Sequence, residues 1–96
     1  MAQKYTRQQI KNELVPKYAK KWGIPVPIAQ ALINQESGYN PNAVSHCGAQ
    51  GLGQIMPKTG KSFGLTRPFD PDQNLDVSMH LLRQGYNKYG NWASAL

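Results

Sequence analysis

Apolar residues recur at helical spacing along this chain, and turn residues separate the stretches. Ile10, Leu14, Tyr18 and Trp22 fall four residues apart and form one helical stripe. Thr6 and Gln9 stand ahead of it in a capping-box arrangement, and Gly23 supplies the stop. Pro16 lies inside the stripe and has no N–H, which predicts a kink or two short helices. Ile24-Pro25-Val26-Pro27 reads as an extended connector, because a residue before proline is driven out of the helical region. Pro27 suits the first position of the next helix, which carries Ile28, Leu32 and Glu36 on one side and ends near Ser37 at Gly38. Tyr39-Asn40-Pro41-Asn42 is turn chemistry. A short helix is expected over residues 58–63, with Gly64 as its stop. Asp70-Pro71 opens the last long helix, whose stripe is Leu75, Met79, Leu82, Tyr86 and Tyr89, closed by Gly90. Residues 91–96 begin one further turn of helix. There is no alternating strand pattern, no repeat and no linker, so the expected class is all-α.

Composition adds limits. At 96 residues, one domain buries roughly 60–65% of the surface of its unfolded chain, enough for a single small core. The lone Cys47 excludes an internal disulfide. The first residues are polar and lead into no apolar run, so no secretory signal and no membrane span are expected. The formal charge of +6 implies an anionic partner: nucleic acid, a membrane surface or a wall polymer. Tyr5, Arg7, Lys11, Tyr18 and Lys21 fit a nucleic-acid face only loosely, and no module signature is present. His46-Cys47 with His80 lacks the spacing of a metal site; neither a metal nor a cofactor is expected.

The candidate chemistry is in residues 34–57. Glu36 lies at the end of its helix, on the side of Ile28 and Leu32, and no other acid follows for more than thirty residues. The helix C-terminus carries partial negative charge, and an edge position implies partial burial. Both favour the protonated carboxyl that a general acid needs. Gly48, Gly51 and Gly53 then allow close backbone approach beside Gln54 and Met56. In isolation, Ser45 reads as a turn residue, Met56 as core, and Tyr39 equally as packing or as a sugar-stacking ring.

Three blocks resemble the lytic transglycosylase domain of the soluble type, a lysozyme-like α fold related to goose-type lysozyme. They are Gln35-Glu36-Ser37-Gly38-Tyr39-Asn40-Pro41, Gly48-Ala49-Gln50-Gly51-Leu52-Gly53-Gln54-Ile55-Met56-Pro57, and Phe69-Asp70-Pro71 through Asn74 to Leu82. The resemblance spans roughly residues 12 to 96 of a domain covering 1–96, with residues 1–11 as a lead-in. It implies cleavage of peptidoglycan between N-acetylmuramic acid and N-acetylglucosamine. Glu36 is then the acid, Ser45 a contact to the N-acetyl group, and Gln54 and Met56 groove-lining residues. By the same resemblance Asn74 has a structural role; Tyr39, next to the Glu36 motif, is a further substrate-binding candidate on its own residue type, with packing as the equal alternative. The family often has methionine in place of Gly53, which implies a looser loop here. The family's closing Ala-Tyr-Asn-Ala-Gly motif is absent, so the resemblance implies a C-terminally incomplete domain with weak or no activity alone. A hydrolase of the same fold and a non-catalytic wall-binding or assembly module are the alternatives. A missing signal suits a phage virion protein or a secretion-apparatus enzyme acting on the wall in the periplasm.

Overall fold

The structure, a computed structural model, describes residues 4–96; the first three residues of the lead-in lie outside the described residues. The first helical run has three pieces: α1 (Arg7–Gln9), a π turn (Ile10–Leu14) and α2 (Val15–Lys21). The expected capping box is present. Thr6 Oγ1 accepts the Gln9 N–H at 3.0 Å, and Gln9 Oε1 accepts the Thr6 N–H at 2.9 Å.

Pro16 does not break the run. The helix widens just before it, with Val15 N–H donating to Ile10 O. A proline ring clashes with the carbonyl four residues back, and a π turn displaces that carbonyl. The extra residue also advances the buried face by one position. Ile10 and Leu14 are buried as expected, but the core then continues through Val15 and Ala19, both at 0% exposure, rather than Tyr18 and Trp22.

α3 (Val26–Ser37) starts one residue earlier than expected, with Pro25 as its cap. Gly38 ends it at φ 61, and its N–H donates to Asn34 O at 2.9 Å. α4 (Pro57–Ser62) is a single short helix. α5 (Pro71–Tyr89) is capped by Asp70, whose Oδ2 accepts the Gln73 N–H at 2.9 Å. α6 (Trp92–Ala95) turns back on it, with the Tyr86 and Trp92 rings 4.1 Å apart.

The core joins the first run to Ala29 and Ile33 of α3 and to Leu75, Met79 and Leu82 of α5. Outside it, two carboxylates of α5 fasten α2. Tyr18 and Tyr5 hydroxyls donate to Asp72 at 2.7 and 3.0 Å. Trp22 Nε1 donates to Asp76 at 2.8 Å, and Lys21 Nζ stands 2.9 Å from the same carboxylate.

Residues 43–56 form a loop folded on itself by isolated β pairings of Gln50 with Val44 and Ile55. Leu52 and Ile55 anchor it in the interior at 0% and 4% exposure. No helix among the described residues is long and apolar enough to cross a membrane.

Candidate active site

The end of α3, the 43–56 loop and α5 meet around a cleft of about 300 Å³. Leu32 and Glu36 come from α3, Gln54 and Met56 from the loop, and Ser78 and Leu82 from α5. Glu36 occupies the last turn of α3 and is exposed. This corrects the expected partial burial. Ala29 and Ile33, both at 0%, carry the centre of the buried face, so the line Ile28–Leu32–Glu36 runs along its rim. The C-terminal end of α3 still lies beside the carboxyl, but the protein itself does not shield it from water.

Among the described residues that line the cleft, Glu36 is the one acid. The downstream aspartates are occupied elsewhere: Asp70 as the cap of α5, Asp72 on the two tyrosines and Asp76 on Trp22 and Lys21. Burial pushes the Asp72 carboxyl up, but the Tyr18 and Tyr5 hydrogen bonds and the Lys4 charge outweigh it and hold it below the ordinary aspartate value. At Asp76 burial again acts upward, and hydrogen bonds from Lys21 and Trp22 outweigh it.

Gln54 holds a left-handed backbone at φ 52, rare for a residue with a side chain. Its own side chain supports it: Nε2 donates to Ala43 O at 3.1 Å and Gly51 O at 2.9 Å. Both amide hydrogens are thereby spent within the loop, leaving Oε1 as the group Gln54 presents. Met56, 44% exposed, precedes α4 and lines the cleft.

Ser45 and Tyr39 are placed elsewhere. Ser45 Oγ accepts the Ala49 N–H at 3.0 Å inside the loop, and it is not among the cleft-lining residues. Tyr39 is 8% exposed and part of the core cluster, with its hydroxyl donating to Gln30 O at 2.9 Å. It borders a second depression beside Arg7 and Pro41. Its φ of 63, just after Gly38, turns the ring inward. His80 is stacked on Trp22 at 4.1 Å and meets Phe63 edge-on.

Asn74 has the expected structural role. It is fully buried, and all four of its hydrogen-bonding positions are used. Nδ2 donates to Gln50 O at 3.1 Å and Pro68 O at 2.8 Å. Oδ1 accepts the Gly53 N–H at 2.8 Å and the Ser78 hydroxyl at 3.0 Å. The loop at Gly53 is therefore held down by α5, contrary to the looseness expected from the missing methionine. Ser78 was not singled out from the sequence, although its place one turn after Asn74 was a usable signal.

Residues 13–96 match the Transglycosylase SLT domain family. A transglycosylase of Enterobacteria phage PRD1 is 34% identical over 84 residues, covering 88% of this chain and 32% of the phage protein. The soluble lytic murein transglycosylase of Escherichia coli (strain K12) is 37% identical over 90 residues, covering 83% of this chain and 14% of that protein. Among solved structures, the 70-kDa soluble lytic transglycosylase in complex with bulgecin A matches with a TM-score of 0.74 at 33% identity, covering 88% of this chain and 15% of that one. An inactive glutamate-to-glutamine mutant of the lytic transglycosylase Slt from Pseudomonas aeruginosa matches with a TM-score of 0.70 at 27% identity, over 80% of this chain and 14% of that one. This chain thus spans under a third of the length of these relatives. The matched residues 13–96 take in all three sequence blocks, and the backbone agrees with that of the solved enzymes at TM-scores of 0.70 to 0.74: the chain belongs to the transglycosylase SLT domain family and has its lysozyme-like, all-helical fold.

Proposed function

We propose that this domain is a peptidoglycan lytic transglycosylase that cleaves the β-1,4 bond between N-acetylmuramic acid and N-acetylglucosamine, with Glu36 as its single acid and base. The observation that carries the reading is the lone carboxylate in the cleft. Glycosidases that use two carboxylates hold them about 5–9.5 Å apart, and the aspartates that could supply a second one are bound to other partners.

The substrate then provides what the protein lacks. Glu36 gives its proton to the glycosidic oxygen as the bond from that oxygen to C1 breaks. The acetamido oxygen of the muramic residue stabilises the electron-poor C1. The C6 hydroxyl oxygen closes on C1, and its proton passes to the Glu36 carboxylate. The product is a 1,6-anhydro sugar, no water is consumed, and Glu36 ends protonated as it began. Proton transfer of this kind contributes about 10²–10⁴-fold; positioning in the cleft supplies the remainder.

An exposed acid fits this scheme because it is open to a glycan lying across the cleft. Gln54 Oε1 is suited to accept from a sugar hydroxyl or an acetamido N–H, and Met56 to flank an apolar sugar face. Ser45 takes part only where the glycan extends past the cleft, and Tyr39 makes no contact. The inactive glutamate-to-glutamine relative supports a reading with one indispensable glutamate. The phage relative supports local wall opening during infection, with the domain carried to the wall by a virion.

Mass spectrometry of digested sacculi tests the chemistry. Chains ending in 1,6-anhydro-muramic acid support transglycosylation, whereas reducing ends would make the protein a hydrolase. Binding to sacculi without any product, unchanged in Glu36→Gln, would make it a wall-binding module.

A further inference from the structure

We infer that Ser78 is a positioning residue for the cleft wall, and that Gly53 is glycine because Ser78 occupies the space its side chain would need. The inference goes beyond the proposed function and rests on it only for the activity readout.

Two glycines of the loop face α5, for different reasons. Gly51 has a φ of +77, a left-handed backbone, and a Cβ there would also strike Asn74 and the Pro68 carbonyl. Gly53 has no such backbone demand. A Cβ on it would fall within 2.7 Å of Ser78 Cβ and overlap Ser78 Oγ outright, closer than atoms of two side chains approach. The severe conflict at Gly53 is therefore with one small side chain, and the only other close atom is Asn74 Oδ1 at 3.2 Å, which needs to give by no more than a few tenths of an ångström.

That side chain is itself held. Ser78 is 5% exposed, and its hydroxyl donates to Asn74 Oδ1, the same oxygen that accepts the Gly53 N–H. Ser78 thus forms the surface on which Gly53 rests, and Asn74 ties the two together. The next residue along the chain is Gln54, which has a left-handed backbone and lines the same cleft as Glu36. The volume that a longer side chain at position 53 would place in the loop is supplied here from α5. Removing it leaves a void under Gly53 and one fewer hydrogen bond on Asn74, and the wall carrying Gln54 and Met56 is free to settle.

Thermal unfolding and kinetics of four variants test the pairing. Gly53→Ala is expected to unfold at markedly lower temperature or fail to fold, and Ser78→Gly added to it is expected to restore folding, because the new methyl group takes the vacated space. Gly51→Ala is expected not to be rescued by Ser78→Gly. Ser78→Ala is expected to fold and to raise KM for soluble glycan strands about three- to tenfold with kcat changed less than about twofold, the pattern of a displaced binding wall. Equal melting temperatures for Gly53→Ala with and without Ser78→Gly, or a double variant that still does not fold, would overturn the pairing. An unchanged KM in Ser78→Ala would overturn the positioning role. The melting data are independent of activity, so a failure of the proposed reaction would leave the steric pairing standing and would show itself in the products instead.

Discussion

At the scale of single residues, the site is one acid on a rim and one amide beneath a loop. Asn74 does for the 43–56 loop what a helix does for its own backbone: it gives buried donors and acceptors their partners. Asn74→Ala would leave the Gly53 N–H and the Gln50 and Pro68 carbonyls without that partner. A loss of about 2–4 kcal/mol is expected for such a buried network, measurable by urea unfolding. The sequence showed the position of Glu36 at a helix end but not its exposure. Spacing placed it with Ile28 and Leu32, and only the packing of Ala29 and Ile33 against the first helical run shows that this line is a rim. Tyr39 was ambiguous for a similar reason, since a left-handed residue after Gly38 turns a side chain in a direction that spacing does not reveal. The meaning of Gly53 was hidden altogether, because it depends on Ser78, twenty-five residues further along the chain.

At the scale of elements, the helices were legible because their signals are local. Thr6 with Gln9, Gly38, Asp70-Pro71 and Gly90 each mark an end that the structure keeps. Two features were not. The π turn before Pro16 trades an expected break for a change of face, and the trade depends on a core that rewards continuity of the run. The pairings within residues 43–56 involve single residues, too few for an alternating pattern to register. α5 carries the most, since Asp72, Asn74, Asp76 and Ser78 hold α2 and the loop from one helix. Its start is set by Asp70. Asp70→Ala is expected to cost about 1 kcal/mol, which lowers the melting temperature by roughly 4–8 °C in a domain of this size. Calorimetry checks this, and Asp70→Asn or Asp70→Ser should recover most of the loss.

At the scale of the whole molecule, charge decides behaviour. The two carboxylates that fasten α2 to α5 titrate below the ordinary aspartate value when folded. Such groups bind fewer protons folded than unfolded, so their contribution is complete above the unfolded value of about 3.9 and is lost as pH falls through the folded one. Melting temperature is therefore expected to be level from neutral pH down to about 5 and to fall below about 4. Asp72→Asn should lower the plateau and flatten part of the acid limb. A limb unchanged in Asp72→Asn and Asp76→Asn would assign the acid loss to other groups. The net charge of +6 favours anionic partners, an attraction screened beyond about 8–10 Å at physiological salt, and under the proposed function that partner is the wall polymer. Wall clearance, followed as loss of turbidity of sacculi, should slow as salt rises.

One measurement bears most directly on the central claim, that a single carboxyl in this cleft both gives and takes the proton. Sacculi are digested with the protein and with Glu36→Gln, and released 1,6-anhydro ends are counted by mass spectrometry. The substitution is expected to reduce release by at least about 10²-fold while the melting temperature stays within a few degrees, since Glu36 is exposed. Undiminished release of anhydro products from folded Glu36→Gln would contradict it.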